Sequence, residues 1–133
     1  MFEVKRKINF YDCDAAGILF YARIYELCHS AYEEMIQGFN LKEDYWANED
    51  YVVPIIHSEA TYHKPLVYNS FVEIELSVIH LGTSAFKLSY NCKNEDGILC
   101  VEVETTHVFV DKKTWKKKAI KEDVRACMMK YLK

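Results

Sequence analysis

Two carboxylates stand one residue apart in the segment Tyr11-Asp12-Cys13-Asp14-Ala15-Ala16-Gly17, directly ahead of the apolar run Ala15 to Ala22. An ionised carboxylate in such a place can attack a carbonyl carbon or take a proton from water. Gly17 has no Cβ, so the backbone beside it can come close to a ligand. The amides of Ile18 to Tyr21, read as the opening of a helix, can then donate to an oxygen that gains charge. A carboxylate beside polarising N–H groups is the equipment of acyl transfer. The same residues also support a plainer role, because an Asp near a helix N-terminus caps orphan N–H groups and complements the helix dipole.

Other chemistries have less behind them. The chain contains no G-x-S-x-G, no Walker loop, no G-x-G-x-x-G and no H-E-x-x-H. Its histidines, at 29, 57, 63, 80 and 107, lack the tight spacing of a metal site, so no metal is expected. His80 and His107 fall within strand patterns, where a hydrogen-bonded structural histidine is the default. Cys13 sits between two acids, which raises its pKa and argues against a thiolate nucleophile. The cysteines number five, with no C-x-x-C pair, and fit reduced thiols of a cytoplasmic protein. Six lysines crowd into Lys112 to Lys121, either as a solvated loop or as a site for an anionic ligand.

Across all 133 residues, 17 basic side chains face 20 acidic ones, for a net charge of −3. That balance disfavours nucleic acid as a partner, since phosphate affinity needs clustered excess Lys and Arg. No secretory h-region precedes the first strand, and the eight-residue apolar run ending at Ala22 cannot span a bilayer, so no membrane insertion is expected. Half the residues are hydrophobic, enough for one domain over 1–133 to build its core without disulfides or metal.

The elements that must position the acids follow from periodicity. Phe2, Val4, Ile8 and Phe10 alternate with charged residues and predict a strand over about 2–11. Ile24, Leu27, Cys28, Ala31, Met35 and Ile36 are spaced three and four apart, which predicts a helix from about Tyr21 to Gln37, ended by Gly38. Residues 39–51 read as a loop with a short turn of helix. Strands follow over Val52 to Tyr62, Val72 to Val78, Phe86 to Cys92 and Ile98 to Asp111, with a hairpin turn at Asn94-Glu95-Asp96-Gly97. Ile120, Val124, Cys127, Met128 and Tyr131 return to helical spacing. The order predicts an α+β fold: a curved five-stranded antiparallel sheet, in meander order, wrapped around one long helix. Val101, Val103 and Phe109 are expected to lack cover in a single chain, and with open edge strands they call for a partner subunit.

The stretch from Tyr11 through Gly17 and on to Ile18-Leu19-Phe20-Tyr21 resembles the signature of hotdog-fold acyl-CoA thioesterases of the 4-hydroxybenzoyl-CoA thioesterase family. The likeness continues through Cys28-His29-Ser30-Ala31-Tyr32-Glu33, Pro54-Ile55-Ile56-His57-Ser58 and His63-Lys64-Pro65-Leu66, where it is closest to 1,4-dihydroxy-2-naphthoyl-CoA thioesterases of quinone synthesis. It spans about residues 2–124. The resemblance implies that Asp14 is the catalytic aspartate and the Tyr21 amide the carbonyl-polarising donor. Gly17, Ile18 and His57 then belong to the substrate site, and Lys64 and Lys87 are candidates to hold the CoA phosphates. Many relatives carry His at the position of Tyr21, and branches acting on aromatic acyl groups accept Tyr there. No cofactor is implied, since coenzyme A is part of the substrate. Dimers or dimers of dimers, with sites at the subunit interface, are implied. The expected reaction is hydrolysis of an aromatic acyl-CoA. The alternatives are short or medium aliphatic acyl-CoA, acyl groups on a carrier protein, or a non-catalytic acyl-CoA-binding regulator.

Overall fold

The computed structural model describes residues 1–133. Strand β1 (Phe2–Ile8) leads through a 3-10 turn at Phe10–Asp12 to helix α1 (Arg23–Gln37). Then come β2 (Tyr51–Val52), β3 (Ile55–Tyr62), β4 (Ser70–Leu81), β5 (Ala85–Lys93), β6 (Leu99–Val108), β7 (Val110–Asp111) and helix α2 (Glu122–Met129). The α+β expectation holds: five antiparallel strands form one sheet, and β2 pairs with β7 in a separate two-stranded ribbon.

The sheet runs β1-β4-β5-β6-β3, which corrects the meander. The strand expected beside β4 crosses to the far edge and pairs with β6. Burial gives the reason. Val72, Ile74, Leu76 and Val78 of β4, with Phe86 and Leu88 of β5, are wholly inaccessible. Each such large apolar side chain stabilises by about 1.5–3 kcal/mol relative to exposure, so these strands take the centre. In β3 every residue except Ala60 is exposed, and a strand with no continuous apolar face costs least at an edge.

The buried face of α1, formed by Ile24, Cys28, Ala31, Tyr32, Met35 and Ile36, lies in the same core as the inward side chains of the sheet. Gly38 caps α1 in ordinary right-handed geometry, and the left-handed residue comes later, at Asn40 (φ 53°). Residues 39–50 form bends without the expected helical turn. Val101, Val103 and Phe109, expected to lack cover, are at most 2 % exposed within one chain. Tyr45 and Tyr51 from this loop and ribbon pack edge-on or tilted against Phe109 and close the core there.

Candidate active site

Asp12 and Asp14 have different surroundings. Asp12 is buried, and its Oδ2 accepts the Asn9 N–H at 2.9 Å while its carbonyl accepts the Phe20 N–H. It is a structural clamp joining the end of β1 to the approach of α1. Asp14 is exposed. Its Oδ1 accepts the Ala16 N–H at 2.9 Å and its Oδ2 has no partner in the chain. Gly17 makes the turn possible: it holds φ +77°, its N–H donates to the Asp14 carbonyl, and a Cβ there would meet the Tyr68 ring at 3.5 Å. Burial, with Asp12 and Asp14 on either side, pushes the Cys13 thiol up, as the sequence suggested.

The expected row of helix-opening amides needs correction. Helix α1 starts at Arg23, and residues 18–19 form bridges instead, Ile18 with Val67 and Leu19 with Cys13. The Leu19 N–H donates to Leu66 O at 2.7 Å and the Phe20 N–H to Asp12 O. These two amides are therefore engaged, whereas those of Ile18 and Tyr21 have no acceptor in the chain. The Phe20 carbonyl accepts the Arg23 N–H at 2.9 Å, which fixes the peptide plane whose other end is the Tyr21 N–H. A free, oriented donor therefore survives at Tyr21.

Asp14, Ile18 and Tyr21 line one cleft of ≈ 460 Å³, together with Tyr62, Lys64 and Leu66. Tyr62 was not anticipated. Its hydroxyl donates to the Tyr21 carbonyl at 2.6 Å and ties the end of β3 to the segment before α1. Burial pushes that hydroxyl's pKa up and keeps it a donor. Lys64 also lines this cleft.

Two other site residues are not brought to this cleft. His57 lies on the opposite face of β3 from Ser58 and Tyr62 and is 3.7 Å from the Glu59 carboxylate. Lys87 lies between the buried Phe86 and Leu88 of β5, so it points to the outer face of the sheet. The lysine run is partly neutralised within the chain: Asp50 binds Lys118 and Lys121, and Lys112 donates to Asn48 O at 2.7 Å. The three acids whose ligand atoms lie within 4.8 Å of one another, Glu3, Glu73 and Glu75, are on the β1–β4 pair, where Lys93 bonds to Glu75.

A second cleft of ≈ 420 Å³ lies further along α1, between Tyr25, His29 and Glu33 on the helix and Ser58, Tyr90 and Thr105 on the sheet. The sequence held a signal for it. The inward positions of β6 read Val101, Val103, Thr105, His107, so the apolar series turns polar halfway along a buried face.

Comparison with known proteins agrees with this architecture. Residues 8–127 match the model of the thioesterase-like superfamily. A 1,4-dihydroxy-2-naphthoyl-CoA hydrolase from Crocosphaera subtropica is 32% identical over 112 residues, 81% of each chain. The enzyme of that name from Synechococcus elongatus is 28% identical over 123 residues, 91% of this chain and 90% of its own. In three dimensions, the crystal structure of a 1,4-dihydroxy-2-naphthoyl-CoA thioesterase from Synechocystis superposes with a TM-score of 0.90 at 20% identity, covering 96% of this chain and 95% of that one. With a helix held against a five-stranded antiparallel sheet and a family match over nearly its whole length, this chain belongs to the thioesterase-like superfamily of hotdog-fold proteins.

Proposed function

We propose that this protein hydrolyses the thioester of an aromatic acyl-CoA, of the 1,4-dihydroxy-2-naphthoyl or 4-hydroxybenzoyl type. The observation that carries the reading is Asp14, an exposed carboxylate with one unpartnered oxygen on the wall of an apolar cleft also lined by Tyr21, whose N–H has no acceptor in the chain. The hydrolase relatives at 32% and 28% identity supply the acyl class.

The thioester carbonyl oxygen accepts from the Tyr21 N–H, which stabilises the charge that gathers there as the carbon becomes tetrahedral. Asp14 either attacks that carbon or takes the proton from an attacking water. Collapse of the adduct breaks the C–S bond and expels the CoA thiolate. If Asp14 is the nucleophile, water then hydrolyses the mixed anhydride and regenerates the carboxylate. Lys64 offers a cation to the CoA phosphates at the cleft wall. The chemistry uses no metal and no cofactor beyond the CoA of the substrate.

The working form is a dimer or a dimer of dimers built on β3. Its outer edge is unpaired, and Ile55 and Ile56 there are 45% and 63% exposed. Edge β1 is instead protected by Lys5, Arg6 and Lys7.

The test is a panel of dihydroxynaphthoyl-, hydroxybenzoyl-, hexanoyl- and palmitoyl-CoA, read as free thiol. An aromatic substrate should give the highest kcat/KM. A higher value for either aliphatic one defeats the acyl assignment, and no thiol release from any of them defeats the enzymatic one.

A further inference from the structure

The second cleft ends on a buried chain of polar groups that the reaction at Asp14 does not use. His107 is wholly inaccessible and stacks on Phe86, with ring centroids 4.7 Å apart. Its Nε2 lies 2.8 Å from Thr105 Oγ1, and its Nδ1 has no partner. Thr105 is 6% exposed and Tyr90 1%, yet both line the cleft, so they form its floor. Ser58 stands directly across from Thr105 in the β3–β6 register, and its hydroxyl has no partner in the chain.

The direction of donation along this chain follows from what burial tolerates. Burial holds His107 neutral, with its pKa pushed down to about 3, so the ring carries one N–H. An orphaned buried donor is rarer than an under-satisfied acceptor. The proton therefore belongs on Nε2, donating to Thr105 Oγ1, and the bare Nδ1 is an acceptor. Thr105 then has its own O–H free at the cleft floor, where it has no acceptor in the chain. The Tyr90 hydroxyl lines the same floor, has no hydrogen-bond partner in the chain, and is a second free donor there. Burial pushes the Tyr90 pKa up, so it keeps that proton.

We propose that this floor, with the free hydroxyls of Tyr90 and Thr105 and Ser58 beside them, is a subsite that recognises an oxygen substituent on the aromatic ring of the acyl group. The assignment rests on the thioesterase reading above. Position supports it. Tyr21 stands two residues ahead of α1, and Tyr25 and His29 follow on the helix at four-residue spacing, about 6 Å apart, so this stretch takes the wall from the first cleft to the second. Tyr62 of the first cleft and Ser58 of the second lie on the same face of β3, four residues apart. A ring attached to a carbonyl at Tyr21 thus reaches the second cleft within the length of one or two fused rings. A donor with no acceptor in the chain selects for oxygen at that end, because an acyl group without one leaves the donor unpaired.

The experiment compares kcat/KM for 1,4-dihydroxy-2-naphthoyl-CoA and 2-naphthoyl-CoA, which share the ring system and differ in the hydroxyls. Tyr90→Phe keeps the ring and removes the donor, and the ratio of the two constants should fall about tenfold, in the range expected for a lost buried hydrogen bond. Ser58→Ala, on the exposed edge strand, should lower the ratio by a few fold and serves if Tyr90→Phe does not fold. Competition by free 1,4-dihydroxy-2-naphthoate against 2-naphthoate, measured by calorimetry on wild-type protein, should favour the hydroxylated acid by a similar factor. A ratio within twofold of wild type in the variants that fold, or equal affinity for the two acids, overturns the subsite. Failure of the wild type to release thiol from both naphthoyl thioesters and from hydroxybenzoyl-CoA overturns the thioesterase reading instead.

Discussion

The two clefts that β3 lines, one at Tyr62 and one at Ser58, are made of different material. The first is built from backbone and irregular chain. Its acid projects from a turn, its donor is a main-chain N–H, and its floor is held by the isolated bridges at Leu19 and Ile18. The second is built from side chains on α1, β3, β5 and β6, and the sheet register dictates the positions of those on the strands. A reactive carboxylate needs freedom from burial and an unpaired oxygen, and a loop supplies both. Recognition of a ring needs fixed walls, and packed strands supply those. Residues of the first cleft should therefore change chemistry with little effect on stability, and residues beneath the second should do the reverse.

The largest effect expected from breaking this contrast is at Asp14. Asp14→Asn keeps the shape and the turn-forming acceptor, yet can neither attack nor take a proton. Turnover should drop about a hundredfold or more, with the urea midpoint unmoved. Near-normal kcat in this variant would reduce Asp14 to a turn residue.

Beneath the second cleft the expected effect is on stability, through His107. Its folded pKa of about 3 lies below the ordinary 6.5, so the unfolded chain binds the proton first as pH falls. The stabilisation is complete above about pH 6.5 and erodes from there down to about pH 3, by about 2 kcal/mol at pH 5. Urea midpoints of the wild type should fall from pH 7 to pH 5, and His107→Leu should flatten that part of the profile. An identical slope in the variant would contradict the buried neutral imidazole.

A smaller change is expected at the β3 edge. Ile56→Lys places a charge on the proposed pairing strand and should weaken self-association at least about tenfold by sedimentation, with the monomer fold intact. Unchanged association would move the interface elsewhere. The smallest effect belongs to Asp12→Ala, which removes the acceptor of the Asn9 N–H. It should cost about 1 kcal/mol of stability by denaturant titration, with turnover reduced far less than in Asp14→Asn. A larger catalytic loss at Asp12 than at Asp14 would reverse the roles assigned to the two acids.

Much of this molecule was legible in local patterns. Alternation marked β1, β4, β5 and β6, and the three-and-four spacing marked α1, because each periodicity is set by the element's own geometry. Asp14 and Gly17 were found for the same reason: acids ahead of an apolar segment and a glycine at a turn are signals a few residues long. Lys87 and His57 show the limit, since a residue's type says what it can bind but not which face of a sheet it joins.

Tertiary structure alone decided the rest. That β3 pairs with β6 instead of β4 follows from competition among strands for buried positions, which no single strand records. Which amides stay free depends on distant partners: Leu66 engages Leu19, Asp12 engages Phe20, and nothing engages Tyr21. Tyr62 reaches the Tyr21 carbonyl across 41 positions of sequence, and Ser58 meets Thr105 only through strand register. The sequence by itself determined most of the elements, the turn that carries Asp14 and the family likeness. The shape of the site came from long-range hydrogen bonds and burial, which depend on how the finished elements pack.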